Sequence, residues 1–211
     1  MKTKVHWRLF FGLVVLGVLL GVAACGRGEE SSDVTPTQEG STPGSGVVGT
    51  PGPVPTLDPN IRLVRYDSPD KGYSIEYPEG WQVEAAGIGA PDIFVSRMEG
   101  SRKVAQVSVA CTKGVGLTPD DLIEDNNRII GGLGSVIDPT LASPVEVAGV
   151  TGKRGEYSTQ VGAFAAEHVA VFFVVGECGW RIGLSIPVSA GDIDQFLPLF
   201  DRILASFRPS G

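Results

Sequence analysis

Histidine is nearly absent from this chain. Only His6 and His168 occur among the 211 residues, and His6 lies in a segment that we expect to be removed. One remaining imidazole excludes a metal centre with two histidine ligands and leaves only His168 to activate a nucleophile. The candidate nucleophile Ser185 lies in a predicted strand, in Gly183-Leu184-Ser185-Ile186-Pro187, which lacks the second glycine of a nucleophile elbow. The sequence favours a structural strand histidine, with a hydrolase that uses His168 as an alternative.

Clusters of basic residues are also missing. Residues 25–211 contain 14 lysines and arginines against 24 aspartates and glutamates. A protein that binds nucleic acid needs a basic face, and anionic lipid headgroups repel a negative one. The glycines of Gly114-Val115-Gly116 and Gly131-Gly132-Leu133-Gly134 match neither a Walker loop nor a dinucleotide fingerprint. We therefore predict no cofactor and no nucleic-acid partner.

The longest apolar run covers only Leu9 to Ala24, 16 residues, and follows Lys2, Lys4 and Arg8. A helix that spans a bilayer needs roughly 20 apolar residues. A basic start, a short apolar segment and small residues before a cleavage point are typical of a secretory signal. Residues 1–24 are therefore predicted to be a signal peptide, with an uncleaved signal anchor as the alternative.

The end of this run, Val22-Ala23-Ala24-Cys25, resembles the bacterial lipobox. That resemblance implies that Cys25 becomes the first residue of the mature protein and carries acyl chains. Two or three acyl chains hold a protein on a membrane far more firmly than one. We expect the protein to be anchored through Cys25 to the extracytoplasmic face of a bacterial membrane.

The segment that follows is predicted to be a tether. From Gly26 to Asn60, 22 of 35 residues are glycine, proline, serine or threonine, and none is aromatic. Such a composition has too little apolar surface to offset the entropy of ordering. Residues 25–60 are thus interpreted as a lipidated cysteine with a disordered linker, and residues 61–211 as one globular domain.

The domain contains two cysteines, Cys111 and Cys178. An even pair in an exported domain favours a disulfide. Redox catalysis usually uses closely spaced cysteines, as in C-x-x-C, and the chain has no such motif. We predict that Cys111 and Cys178 are bonded if their strands are neighbours.

Short alternating segments with glycine and proline between them predict an antiparallel sheet. His168 to Val175 is apolar at both alternating sets of positions, so this strand should be covered on both faces, and Gly176-Glu177-Cys178-Gly179 should turn it back into the next strand. A further turn is expected at Thr151-Gly152. The other predicted strands are 73–77, 81–83, 93–98, 104–110, 145–150, 153–159 and 180–186.

Two helices are predicted. Thr118-Pro119-Asp120-Asp121 combines an N-cap, a proline in the first turn and acidic residues at a positive helix start. The second helix should open near Ser189, and Pro198 should either kink it or mark its true first turn. Its apolar stripe has helical spacing. The residues of the stripe are Ile193, Phe196, Leu197, Phe200, Ile203, Leu204 and Phe207.

Two groups of side chains have both a structural and a functional interpretation. Carboxylates crowd the start of the first helix and can bind a divalent cation weakly, but acidic helix starts are common and we predict no metal. These carboxylates are Asp120, Asp121, Glu124 and Asp125. Aromatic residues on strands form either a binding face or core, and core is the commoner case. These are Tyr73, Tyr77, Trp81 and Trp180.

The segments Tyr66-Asp67-Ser68 and Gly72 to Trp81 resemble the opening hairpin of PsbP-like domains, with Tyr77-Pro78 before the turn and Trp81 after it. Residues 145–157 and 203–207 are also similar to that family. The resemblance implies an α+β fold, an α/β/α sandwich around an antiparallel sheet. Its members include photosystem proteins, bacterial surface lipoproteins and a nuclear-transport factor, so the fold leaves the activity open.

The sequence is thus interpreted as a surface lipoprotein whose domain is a non-enzymatic binding or assembly module of the cell envelope. Its expected partners are the membrane, through the lipid anchor, and another envelope protein. Two alternatives are a carrier of a small apolar or lipidic ligand, which needs a cavity between sheet and helix, and a hydrolase, which needs polar groups around His168.

Overall fold

A computed structural model of the chain describes residues 58, 60–68, 70–85 and 91–210. All of them belong to one unit, Pro55–Gly211. The predicted signal peptide, Cys25 and nearly all of the predicted tether lie outside the described residues. None of the helices in the described part is long and apolar enough to cross a membrane.

The fold is mostly antiparallel β-sheet with two α-helices. Its strands are β1 (Leu63–Ser68), β2 (Tyr73–Pro78), β3 (Gln82–Ala85), β4 (Ile93–Glu99), β5 (Arg102–Lys113), β6 (Ser143–Val147), β7 (Val150–Val161), β8 (Phe164–Val175), β9 (Cys178–Pro187) and β10 (Arg208–Pro209). Seven strands form one sheet in the order β3-β4-β5-β9-β8-β7-β6, and β1-β2-β10 form a second sheet. The helices are α1 (Pro119–Ile130) and α2 (Leu197–Ser206).

The two α-helices cover opposite faces of the seven-stranded sheet. Val169, Val171 and Phe173 of β8 point into a large apolar cluster with α2 and the second sheet. Ala170 and Phe172, which alternate with them, point into a small cluster with Leu122 and Ile123 of α1. We call these the α2 face and the α1 face. The prediction that this strand is covered on both sides is confirmed.

Aromatic rings fill the core on the α2 face. The ring of Trp180 lies 5.2 Å from that of Tyr73 and 5.0 Å from that of Phe207, which in turn lies 5.3 Å from Phe173. Edge-to-face pairs at such distances add to the stability that burial provides. The second sheet therefore shares this layer with α2, and the predicted α/β/α sandwich describes the molecule only loosely.

The second helix does not open near Ser189, and of the two interpretations of Pro198 the one that places it in the true first turn is confirmed. Short 3-10 turns occupy Val188–Ala190 and Ile193–Gln195, and α2 begins at Leu197 with Pro198 in its first turn. Gly191, between the two 3-10 turns, has a φ of 129°, so the backbone is not helical at this residue. Proline lacks an N–H and fits the first helical turn, where that group has no partner.

The predicted turn at Thr151-Gly152 is also wrong. The β6–β7 hairpin turns at Ala148 and Gly149, whose φ values are 52° and 78°. Positive φ at both central residues gives the twist that two-residue hairpin loops need. Gly152 lies inside β7, where a Cβ would approach the backbone oxygen of Phe172 to 2.6 Å. That glycine is therefore needed for close packing of strands and not for a turn.

The first helix begins as predicted. The Thr118 side chain accepts a bond from the backbone N–H of Asp121, and the Asp121 carboxylate accepts one from the Thr118 N–H at 2.8 Å. These two bonds form a capping box and satisfy donors that a helix start leaves free. The backbone and hydroxyl donors of Thr118 also lower the pKa of Asp121.

Candidate functional site

A row of polar side chains crosses the α1 face beyond the helix. Register pairs Ser96 with Gln106, Gln106 with Ser185, Ser185 with His168, and His168 with Tyr157. Directly paired residues on neighbouring strands point to the same face and lie close together. The antiparallel order thus collects residues from positions 96 to 185 into one line, which we call the polar row.

His168 is the centre of the polar row. Its Nδ1 lies 2.8 Å from the Ser185 hydroxyl, and its Nε2 lies 2.8 Å from the Thr159 hydroxyl. The imidazole also stacks on the Tyr157 ring, with centroids 4.5 Å apart and planes 6° from parallel. Burial, with a smaller effect from the nearby Arg181 charge, lowers the pKa of His168 to about 4. The ring is therefore neutral at pH 7, so one nitrogen donates and the other accepts.

Ser185 and His168 are at the separation of a nucleophile and its base. The third member of a hydrolytic triad is a carboxylate that orients the imidazole and stabilises its protonated form. Here that position is occupied by the hydroxyl of Thr159. A pKa near 4 also makes His168 a weak base at neutral pH. The arrangement is suited to hold β7, β8 and β9 in register.

Sequence reasoning found His168 and considered Ser185, but it missed Thr159. The signal was the two-residue loop Gly162-Ala163 between β7 and β8, which pairs Val161 with Phe164. Counting back from that pair aligns Thr159 with Ala166, next to His168 on the same face. A hairpin loop of this length sets the register of its strands.

Cys111 and Cys178 form a disulfide between β5 and β9, with their Cα atoms 5.7 Å apart. The pairing of Cys111 with Trp180 places both cysteines diagonally across neighbouring strands. The predicted bond is thus confirmed by the structure. Cys178 is the first residue of β9, and the turn consists of Gly176 and Glu177 only. The observed turn is therefore two residues shorter than the predicted turn Gly176-Glu177-Cys178-Gly179.

The acidic residues at the start of α1 are mostly engaged with protein partners. Asp121 closes the capping box, Asp120 accepts from Lys153 at 2.6 Å, and Asp125 pairs with Arg128 at 2.7 Å. Within the described residues, no three histidine, cysteine or acidic side chains are grouped so as to hold a metal ion. These carboxylates serve the helix start and its contact with β7.

The strand aromatics that had two interpretations pack in the core. Tyr73, Trp81 and Trp180 are buried, and Tyr77 is partly buried against the same cluster. Among the residues that the structure describes, the indole N–H of Trp180 has no hydrogen-bond partner. These rings stabilise the α2 face and are not accessible as a binding surface.

Two exposed apolar side chains lie on neighbouring strand ends, at the end of β8 and β9 away from the disulfide. Phe164 is 68% exposed at the start of β8, and Val188 is 53% exposed just after β9. Pairing of Ala166 with Pro187 brings the two strand ends side by side. We call Phe164 and Val188 the terminal patch.

Several solved structures have a similar fold. Cyanobacterial PsbP (CyanoP) from Synechocystis sp. PCC 6803 is 19% identical with a TM-score of 0.50, over 77% of this chain and 98% of that one. The Ran-binding protein Mog1p of Saccharomyces cerevisiae is 8% identical with a TM-score of 0.51, over 71% of this chain and 96% of that one. These likenesses show a PsbP-like fold.

A protein from Bacteroides thetaiotaomicron is 14% identical with a TM-score of 0.49, over 70% of this chain. The chain spans about half of that protein, 48% of its length. No protein-family model matches the sequence, and no curated protein matches it.

Proposed function

We propose that the chain is an exported lipoprotein, anchored through Cys25 to the extracytoplasmic face of a bacterial membrane. Its folded domain is a non-enzymatic module that binds another protein of the envelope. The Cys111–Cys178 disulfide is the observation that supports export most directly. Disulfides form and persist in oxidising compartments and are rare in the cytosol.

A binding role is supported by the polar row. The one imidazole of the domain is neutral, and hydroxyl groups occupy both of its nitrogens. Mog1p of Saccharomyces cerevisiae, which has a similar fold, is a Ran-binding protein. A fold of this kind is therefore able to serve as a protein-binding module, although a shared fold does not specify the partner.

We assign the contact with the partner to the terminal patch. Among the described residues, no side chain covers the exposed apolar surface of Phe164 and Val188. The excess of 24 acidic over 14 basic residues in the mature chain disfavours an anionic lipid surface as the occupant. A protein surface with a complementary apolar pocket fits both observations.

Anchoring is tested by labelling cells of a bacterial host with a radioactive or clickable fatty acid. The wild-type chain should incorporate the label and fractionate with membranes, whereas Cys25→Ser should lose both properties. Cys111→Ser is the matched control, because it removes a cysteine outside the lipobox and should remain acylated. Equal acylation and membrane attachment of Cys25→Ser would contradict the proposal.

Partner binding is tested by crosslinking in the native host, followed by mass spectrometry. We expect one set of envelope proteins to crosslink with the wild type and to be reduced at least tenfold with Phe164→Ser. Leu141→Ser is the control, since Leu141 is 82% exposed at a different site. Crosslinks that persist in Phe164→Ser, or that join only two copies of this chain, would contradict the assignment of the patch to an envelope partner.

The hydrolase alternative has one observation in its favour, the contact of Ser185 with His168. Purified protein should not turn over ester, peptide, phosphate or glycoside substrates. Turnover that disappears in both Ser185→Ala and His168→Ala, with the fold retained, would replace the binding proposal by the hydrolase. The carrier alternative gains no support from the α2 face, where aromatic rings fill the space between sheet and helix.

A further inference from the structure

Arg181 is a cation on the α1 face that has no acidic partner among the described residues. Strand register places it between Ala110 of β5 and Phe172 of β8. Its guanidinium donates from Nη1 to the Oδ1 of Asn126 at 2.8 Å. Within the described residues no carboxylate lies within ion-pair distance of it, whereas Arg154 has Asp201 at 2.9 Å. A half-buried charge with a neutral partner is costly, because it lacks both full hydration and a counter-charge.

Asn126 adds a second uncompensated donor at the same place. The residue is 2% exposed, and its Oδ1 is used by Arg181. Its Nδ2 has no hydrogen-bond partner among the described residues. A buried amide N–H that lacks a partner is destabilising, and rotating the amide would turn the donors of both residues toward each other. The pair therefore presents N–H groups that only an acceptor from outside the pair can satisfy.

The cover that α1 provides ends at Arg181. On one side, a Cβ at Gly179 would lie 2.6 Å from the Leu122 side chain of α1. On the other side, the atoms nearest to a Cβ at Gly183 belong to the sheet itself, with the Ser108 hydroxyl at 3.3 Å and the Ala170 Cβ at 3.9 Å. The strand surface next to Arg181 thus carries small residues: Gly183 is buried, and Ser108 and Ala110 are half-buried.

We propose that Arg181 and Asn126 form a binding site for a carboxylate at the edge of α1. The guanidinium offers two parallel N–H groups that match the two oxygens of a carboxylate, and the Nδ2 of Asn126 supplies a further donor. The small residues Ser108, Ala110 and Gly183 lie beside the guanidinium on the neighbouring strand positions. The site is separate from the terminal patch, so it does not depend on the proposed protein partner.

The test follows the Nε–H signal of Arg181 and the side-chain NH₂ signals of Asn126 by ¹H–¹⁵N NMR. The sample is the full-length chain in a neutral detergent, titrated with succinate while chloride keeps the ionic strength constant. We expect both signals to shift saturably with succinate, and the signal of Arg154 to remain unchanged. Arg154 is the matched internal control, because it is a partly buried arginine that already has a carboxylate partner.

Variants test the geometry of the site. Arg181→Lys keeps the charge but loses the planar fork, and it should weaken succinate binding at least tenfold, whereas Arg154→Lys should leave it unchanged. NMR shifts that do not saturate, or that chloride also produces, would show that the ions only screen the charge of Arg181. Either result would overturn the proposal. Tighter binding of inorganic phosphate than of succinate would overturn the assignment to carboxylates. If Arg181→Lys does not fold, the titration of the wild type decides alone.

Discussion

The two faces of the seven-stranded sheet differ in how they gain stability. The α2 face joins two sheets, α2 and a continuous set of buried apolar and aromatic side chains. The α1 face has only a small apolar cluster under the helix, and polar side chains occupy the strands beyond it. One face is therefore stabilised mainly by burial of apolar area, and the other by hydrogen bonds and a helix cap. The face with less apolar packing is the one that holds the polar row and the pair formed by Arg181 and Asn126.

The neighbouring residues Phe173 and Phe172 allow a direct comparison, because both are fully buried and they point to opposite faces. Phe173→Ala should cost about 3–5 kcal/mol of unfolding free energy, as large-to-small changes in tightly packed cores do. Phe172→Ala should cost less, since α1 can shift to reduce the cavity. Denaturant unfolding of both variants measures this, and an equal or larger cost for Phe172→Ala would contradict the contrast between the faces.

The disulfide belongs to the stability of the α2 face, since Cys111 and Cys178 both pack against its cluster. Replacing both cysteines by alanine should lower the free energy of unfolding by roughly 4 kcal/mol. The reason is that the disulfide closes a loop across a separation of 67 residues and so reduces the conformational entropy of the unfolded chain. Unfolding with and without a reducing agent checks this. Reduction should destabilise the wild type and leave the double variant unchanged; the same effect on both would point to a different cause.

On the α1 face, stability should depend on pH through His168. Its folded pKa of about 4 is below the ordinary value of 6.5, so the unfolded chain binds the proton more readily. The contribution is therefore complete above about pH 6.5 and is lost as the pH falls toward 4. Between pH 7 and pH 4 the wild type should lose up to about 3 kcal/mol more than His168→Gln.

Unfolding free energies measured across this range in both chains give that difference. It isolates His168, because the acidic residues that also titrate there are common to the two proteins. A difference that does not change with pH would mean that burial does not hold the imidazole neutral.

The smallest expected effect concerns the cap of α1. Thr118→Ala removes the side chain that accepts from Asp121 and should cost about 1 kcal/mol. Thr118→Ser keeps that acceptor and should cost little, which makes it the matched control. Thermal unfolding of both variants measures the change, and an equal loss in the two would show that the methyl group and not the cap is responsible.

Local signals predicted the elements that depend on near neighbours. Thr118 and Pro119 marked the start of α1, and the apolar pattern of 168–175 indicated a strand covered on both faces. The β6–β7 turn was misplaced because Gly149 and Gly152 are equally good turn residues in isolation. Only the approach of Phe172 to Gly152 in the folded sheet distinguishes the glycine of the strand from the glycine of the turn.

The candidate sites were less predictable for the same reason. His168 was evident as the single imidazole, but Thr159, Ser185 and Tyr157 surround it only through the pairing of three strands. The meeting of Arg181 and Asn126 is still less visible, since 55 residues separate them and nothing local links an α1 amide to a β9 guanidinium. Packing of α1 on β9 brings them together.

The sequence by itself determined the antiparallel character of the domain, the cap of α1 and the pair of cysteines available for a disulfide. It also predicts the export signal. These properties follow from composition, from alternation and from side chains that interact within a few residues. Only the tertiary structure decided which face each polar group occupies, that hydroxyls bond both nitrogens of His168, and that Arg181 meets Asn126 and no carboxylate of the described residues. Those outcomes depend on strand order and register, which come from the simultaneous burial of distant apolar residues and are encoded by no single segment.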